Sequence, residues 1–155
     1  MSVLRLNLGC GDKPLQGWTN VDIRDLPGVD IVYDLRRLPW PFDSGDVDEI
    51  LMDNVLEHLA SRDAIRVLNE IGRVLKLGGQ ATIIVPHALS QGAYQDPTHV
   101  SFWVPRSALY WNQQQTPFGG KAVGITADLM PLVEPEISGD MRTEAFITFR
   151  VYRAS

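Results

Sequence analysis

Two glycines stand one residue apart in Leu8-Gly9-Cys10-Gly11-Asp12, and ten residues further on the stretch Val21-Asp22 ends in an acid. Glycines that follow a first buried strand let a ligand approach the main chain closely, because no Cβ intervenes and positive φ is allowed. An acid closing the next strand can accept both hydroxyls of a ribose, so Gly9, Gly11 and Asp22 together specify a nucleoside ligand. A dinucleotide site wants a third glycine and then a helix whose N-terminus meets the pyrophosphate. Here the third position is Pro14, and the ten residues between Gly11 and Asp22 leave hardly any room for that helix. No Gly-Lys-Ser/Thr follows the glycines, which excludes a P-loop. Alone, Gly-Cys-Gly also fits a tight strand-to-loop turn with no ligand; the coupling to Asp22 is what gives it weight. Cys10 reads as small filler, since nothing near it in sequence would lower its pKa.

These residues must be positioned by a frame of short apolar runs bounded by turn residues, the pattern of strands buried on both faces. The runs predict strands at Leu4–Leu8, Thr19–Val21, Ile31–Tyr33, Glu49–Met52 and Gln80–Val85. One helix is predicted from Ser61, as N-cap, with Ile65, Leu68, Ile71 and Leu75 at spacings of three and four and Gly78-Gly79 as the stop. A shorter helical segment is expected over Val55–Ala60. Residues 87–120 hold 6 of the 13 aromatics and 5 of the 7 glutamines, which reads as a long functional loop with a short helix near Ser107–Trp111. Rings from Tyr94 to Phe118 are expected to line an acceptor pocket, the alternative being core packing. Two further strand candidates close the chain, one within Ile125–Ile137, interrupted by Pro131 and Pro135, and one at Glu144–Arg153.

Composition narrows the partners. The 155 residues suit one domain, 1–155, and 14 Lys+Arg against 19 Asp+Glu give a net charge of −5 with no basic cluster. Nucleic-acid affinity comes from clustered Lys and Arg releasing counterions, so nucleic acid is disfavoured as a partner. A lone Cys10 fits a reducing compartment, and no apolar run is long enough for a signal peptide or a membrane span, so the cytoplasm is the expected location.

Leu6-Asn7-Leu8-Gly9-Cys10-Gly11 resembles the first motif of the class I S-adenosylmethionine-dependent methyltransferases. Asp22 matches that family's ribose-binding acid, and Asp34-Leu35, followed by Leu38-Pro39-Trp40-Pro41-Phe42, matches the segment that holds the adenine. Val47-Asp48 through Asp53-Asn54-Val55-Leu56-Glu57-His58-Leu59 resembles the fourth strand and the Leu-Glu-His signature after it, and Leu75–Gly79 the turn before strand five. The likeness covers residues 4–86 in order; within the family, Gly17–Asp22 is similar to a compact, type 11-like subgroup. Two departures stand out: Asn7 replaces the family's usual acid, and the third glycine of the loop is replaced.

The resemblance implies an α/β fold, a Rossmann-like and mainly parallel sheet with a C-terminal antiparallel strand and without the family's N-terminal helices. It implies a cofactor-binding half at 1–86 and an acceptor loop with final strands at 87–155. The implied cofactor is S-adenosylmethionine, with S-adenosylhomocysteine as product, held by Asn7, Gly9, Gly11, Asp22, Asp34, Leu35, Asp53 and His58. Methyl transfer from a sulfonium needs positioning, partial desolvation and, for a protonated nucleophile, a base. Base candidates on the rim are His87, just after strand five, and Asp96 and His99 in Gln95–Trp103; the plainer reading of each histidine is a loop residue bonded to the main chain. His58, within the signature, is expected to pack near the cofactor or cap a helix. The spacing of His58, His87, Asp96 and His99 matches no chelating motif, so no metal is expected.

Three activities fit: methyl transfer to a small-molecule or glycan acceptor, methylation of a nucleic acid, and a non-catalytic cofactor-binding partner subunit. Charge and the absence of an Asn-Pro-Pro-Tyr-like motif at Asp53–Leu56 count against the second. Short connections before the fourth strand leave one sheet face poor in helices. On the premise that both faces are apolar, a second copy of the chain is expected to cover it as a homodimer, the alternative being the loops around Trp18 and Leu26-Pro27.

Overall fold

The computed structural model describes residues 2–112 and 124–155. An eight-stranded sheet runs through it: β1 (Arg5–Leu8), β2 (Thr19–Asp22), β3 (Ile31–Val32), β4 (Val47–Asp53), β5 (Leu75–Pro86), β6 (Leu129–Pro131), β7 (Glu136–Gly139) and β8 (Ala145–Arg153). The order is β3-β2-β1-β4-β5-β8-β6; β1 to β5 are parallel and β8 is antiparallel to β5. This is the α/β, mainly parallel Rossmann-like sheet with its antiparallel C-terminal strand. β6 and β7 both pair with the other edge of β8, against Val151–Arg153 and Ala145–Thr148. Pro131 and Pro135, which cannot donate to a ladder, flank the break between them.

One long helix, α1 (Ser61–Val74), covers one face of the sheet. Ala64, Val67, Leu68, Ile71 and Val74 are buried against Leu6, Leu8, Ile50, Met52, Ile83 and Phe149. Ser61 is the first helical residue and Ala60 the cap position, with no side-chain bond, so the expected serine cap is absent. The helix also stops four residues before Gly78. Its last carbonyls are taken by Gly45 N–H onto Arg73 O and Asp46 N–H onto Val74 O, both at 2.9 Å, while Leu75 enters the ladder opposite Val47. A glycine cap is not needed when the turn leading into β4 supplies the donors.

No helix joins β1 to β2, β2 to β3 or β3 to β4. The face away from α1 is nonetheless not a continuous apolar surface. Its rows read Arg5–Glu49–Gln80–Tyr152 and Asn7–Leu51–Thr82–Arg150 across the register, with an Arg5–Glu49 ion pair at 3.2 Å. These strands alternate apolar-in and polar-out, so the premise behind a covering second copy does not hold in the sheet itself. Among the described residues no helix is long and apolar enough to cross a membrane.

Short helical segments complete the described chain: Leu56–His58, Gly92–Gln95 (α2) and Pro105–Tyr110. The aromatic stretch divides in two. Trp111 is 2% exposed and packs on Phe149 and Trp103, with ring centroids 4.7 and 5.9 Å apart, which makes it core. Tyr94 and Phe102 stack at 4.8 Å on the surface. Phe118 and the three glutamines at 113–115 lie outside the described residues.

Candidate active site

The carboxyl ends of β1, β2 and β4 meet at Gly9. Its φ is +68°, and a Cβ added there would lie 2.3 Å from Val55 Cγ2, so only glycine fits. Gly9 N–H and Cys10 N–H both donate to Val21 O, at 2.7 and 3.1 Å, which folds the loop over the end of β2. Gly11 N–H then donates to Asp22 Oδ2 at 2.8 Å, while Arg24 N–H and Arg24 Nε donate to Asp22 Oδ1 at 2.9 and 3.1 Å. Asp22 is 5% exposed. Burial works to raise its pKa, but the bonds from Arg24 N–H, Gly11 N–H and the guanidinium outweigh it and hold the carboxyl below its ordinary value. Burial and the neighbouring Asp22 raise the Cys10 thiol, in keeping with a filler role.

Asn7 explains its departure from an acid by its bonds. Its Nδ2 donates to Lys13 O at 3.1 Å and to Asn20 Oδ1 at 2.9 Å, both acceptors that a carboxylate could not serve. Asn20 is the hub: its Oδ1 also accepts from Leu15 N–H, its Nδ2 reaches Leu15 O and Trp18 O, and its main-chain N–H is held by Asp30. The buried pair ties down a loop that has no helix and no third glycine to stiffen it.

Cavities of about 340 and 250 Å³ flank Gly9 and share Asn54. Asp22, Asp34, Leu35, Val55 and His58 line the larger, and Asn7, Gly11 and Asp53 the smaller. All eight residues expected to hold the cofactor therefore border one composite cleft. The Arg36 guanidinium grips both oxygens of Asp34, at 3.0 and 2.8 Å, and keeps its pKa low. Leu35 O accepts from Trp40 Nε1 at 2.9 Å, and Trp40 N–H donates to Glu70 of α1, so the helix braces this wall. Asn54, at φ 54°, turns the chain from β4 into the Leu56–His58 segment.

The base candidates separate. His87 is buried and lines neither cavity; its N–H donates to Ala145 O, and its Nδ1 accepts from Leu89 N–H at 3.1 Å. Asp96 and His99 instead come to His58. Val100 N–H and Ser101 N–H both donate to Glu57 O, and Ser101 Oγ donates to Leu56 O, clamping the loop onto the signature. His58 and His99 meet edge to face at 4.8 Å. Thr98 Oγ1 donates to Asp96 Oδ1 at 2.7 Å, and this bond with the Thr98 N–H holds the Asp96 carboxyl below its ordinary value.

Sequence reasoning passed over Glu57. It is 1% exposed, neither carboxylate oxygen has a hydrogen-bond partner, and burial, with Asp53 and Asp96 nearby, pushes its pKa up to about 7. The available signal was an acid inside the apolar run Val55–Leu59. Arg24 was missed as well, although an arginine two residues past an expected ribose-binding acid is within reach of it.

The methyltransferase-domain family matches residues 18–83, a span that takes in Asp22, Asp34, Asp53 and His58 and starts just after the glycine loop. No curated protein matches the chain by sequence. Solved structures share the fold at low identity. An S-adenosylmethionine-dependent methyltransferase from Archaeoglobus fulgidus is 16% identical, with TM-score 0.64, covering 97% of this chain and 86% of its own. The 1,6-didemethyltoxoflavin N1-methyltransferase of Burkholderia thailandensis, solved with its substrate and S-adenosylhomocysteine, is 15% identical, with TM-score 0.66 and coverages of 98% and 71%. The N-methyltransferase NodS of Bradyrhizobium japonicum, with S-adenosylhomocysteine, is 14% identical, with TM-score 0.62 and coverages of 99% and 79%. The family match lies within the first 83 residues, and the solved structures share the fold of the whole chain: a Rossmann-like sheet of the kind seen in S-adenosylmethionine-dependent methyltransferases.

Proposed function

We propose that this chain transfers a methyl group from S-adenosylmethionine to a small-molecule or glycan acceptor. The observation that carries the reading is the loop Gly9–Gly11 closed on the buried Asp22, with a cavity on either side of Gly9. That cradle suits a nucleoside bearing a polar tail. Asp22 would take the ribose hydroxyls, Asp34 and Leu35 the adenine side, and Asn7, Gly11 and Asp53 the methionine side. When bound, S-adenosylmethionine supplies an electrophilic methyl on a sulfonium.

The chain's own task is then to hold the acceptor in line and exclude water. The 96–103 segment, fastened to Glu57 O and Leu56 O, brings His99 against His58, which lines the larger cavity. The Tyr94–Phe102 stack follows directly from it, since His99 Nδ1 bonds Ala93 O at 3.1 Å. Exposed rings beside polar groups suit a sugar or a small ring system. The net charge of −5 supports this over a nucleic acid. The test is release of S-adenosylhomocysteine in the presence of pooled small-molecule and oligosaccharide acceptors, with RNA and DNA as parallel arms. Turnover with nucleic acid alone would overturn the acceptor class.

A further inference from the structure

Glu57, His58 and His99 each present one ligand-type atom, and the three atoms lie within 4.8 Å of one another. The two imidazoles are oriented by bonds on their far sides. His99 Nδ1 faces Ala93 O at 3.1 Å; a carbonyl only accepts, so neutral His99 carries its proton on Nδ1. Thr98 Oγ1 stands 2.9 Å from His58 Nδ1 and spends its own proton on Asp96 Oδ1, so it accepts from His58 Nδ1–H. Both Nε2 atoms keep their lone pairs. His58 Nε2 faces Glu57 Oε1 at 4.0 Å, and Asp96 Oδ2 stands 3.8 Å from His99 Nε2 at the outer edge.

The His58 Nε2 lone pair thus faces a buried Glu57 carboxyl whose oxygens have no hydrogen-bond partner, and His99 offers a third ligand atom within 4.8 Å. A separation of 4.0 Å is too long for a direct hydrogen bond. Two ligands of one tetrahedral ion stand about 3.4 Å apart when each bond is about 2.1 Å, so the three atoms, which lie within 4.8 Å of one another, draw together by up to about 1.4 Å to share an ion. Burying a carboxylate without a compensating positive group is costly, and a cation at the centre would satisfy all three atoms at once.

We propose that Glu57, His58 and His99 form a binding site for a divalent first-row transition ion, zinc or iron(II), beside the cofactor cleft. Two imidazoles and one carboxylate suit these ions, and the Nδ1 bonds to Ala93 O and Thr98 Oγ1 are the outer bonds that such ligands normally have. Three protein ligands leave coordination positions open. His58 also lines the larger cavity, so an ion held by it would stand at the wall of the cleft, where an acceptor oxygen could be bound and polarised. This last step rests on the methyl-transfer reading; ion binding does not. The sequence conceals the site because His99 lies forty-one residues beyond His58 and is delivered by the loop.

The test is calorimetric titration of chelator-treated full-length protein with zinc chloride and, anaerobically, with iron(II), supported by the visible d–d bands of bound cobalt(II). One equivalent should bind at micromolar or tighter affinity. His99→Ala and the isosteric Glu57→Gln should each weaken it by at least about tenfold, since losing an outer-shell partner alone costs roughly 10–100-fold. Circular dichroism checks that both variants fold, and S-adenosylhomocysteine titration of His99→Ala should match wild type. No binding of either ion by wild type, or unchanged affinity in both folded variants, overturns the site. Ion binding without S-adenosylhomocysteine binding leaves the site standing and removes the methyl-transfer reading.

Discussion

Arg24 Nε donates to Asp22 Oδ1 at 3.1 Å, on the carboxylate whose other oxygen is held by Gly11 N–H. The main-chain bonds fix where the carboxylate points. The guanidinium sits where one hydroxyl of a ribose would bond, and at 64% side-chain exposure it can move away. The arginine side of the pair is open to solvent and its guanidinium is free to move, so the pair is worth on the order of 1 kcal/mol. Arg24→Ala should therefore tighten S-adenosylhomocysteine binding by up to about fivefold in a calorimetric titration. A tenfold loss would make Arg24 a ligand contact instead of a competitor.

Asn7→Asp tests the pinned loop. The carboxylate would face Lys13 O and Asn20 Oδ1 with nothing to donate, a loss on the order of 2–3 kcal/mol, or roughly 4–12 °C in Tm at this chain length. A thermal melt matching wild type would show that the loop does not depend on these bonds.

Gly9→Ala combines a backbone penalty with a collision. Positive φ costs a non-glycine residue roughly 1–2 kcal/mol, and the new Cβ meets Val55 Cγ2 at 2.3 Å. The single variant should lose cofactor binding. Adding Val55→Ala should restore part of the stability and no more, because it removes the collision and leaves the φ penalty. Full recovery in chemical denaturation would mean that φ at Gly9 carries no cost.

The core of the sheet was legible because buried parallel strands end in glycine or Asx residues, as Leu8-Gly9 and Val21-Asp22 do. What escaped depends on contacts distant in sequence. The end of α1 is set by Gly45 and Asp46, not by Gly78. The meeting of His58 with His99 and the isolation of Glu57 arise only when 96–101 docks on 56–58. His87 and Trp111 look like site residues by type and position; one is bonded to the main chain and the other packs on Phe149, environments that neither residue's neighbours in sequence reveal.

Glu70 gives the stability a pH signature. It accepts Trp40 N–H at 2.7 Å and two bonds from Arg73, which also holds Phe42 O. Burial works to raise its pKa, but the bonds from Arg73 and Trp40 N–H outweigh it, so the folded value lies below the ordinary 4.5. A carboxylate depressed on folding stabilises above its unfolded pKa, and that contribution is lost as pH falls through the folded value. Wild-type Tm should therefore drop as pH falls below 4.5, and Glu70→Gln, less stable at pH 7 by about 1.5–3 kcal/mol, should show a smaller drop. Parallel pH profiles for the two proteins would contradict this.

The account rests on Asp22 as the ribose anchor of an S-adenosylmethionine cleft, and calorimetry with S-adenosylhomocysteine on wild type and Asp22→Ala addresses that directly. One molecule should bind wild type, and the variant should bind roughly tenfold to 150-fold more weakly, the worth of a buried charge-assisted contact of about 1.5–3 kcal/mol. No heat with wild type, or an unchanged dissociation constant in the variant, would contradict it.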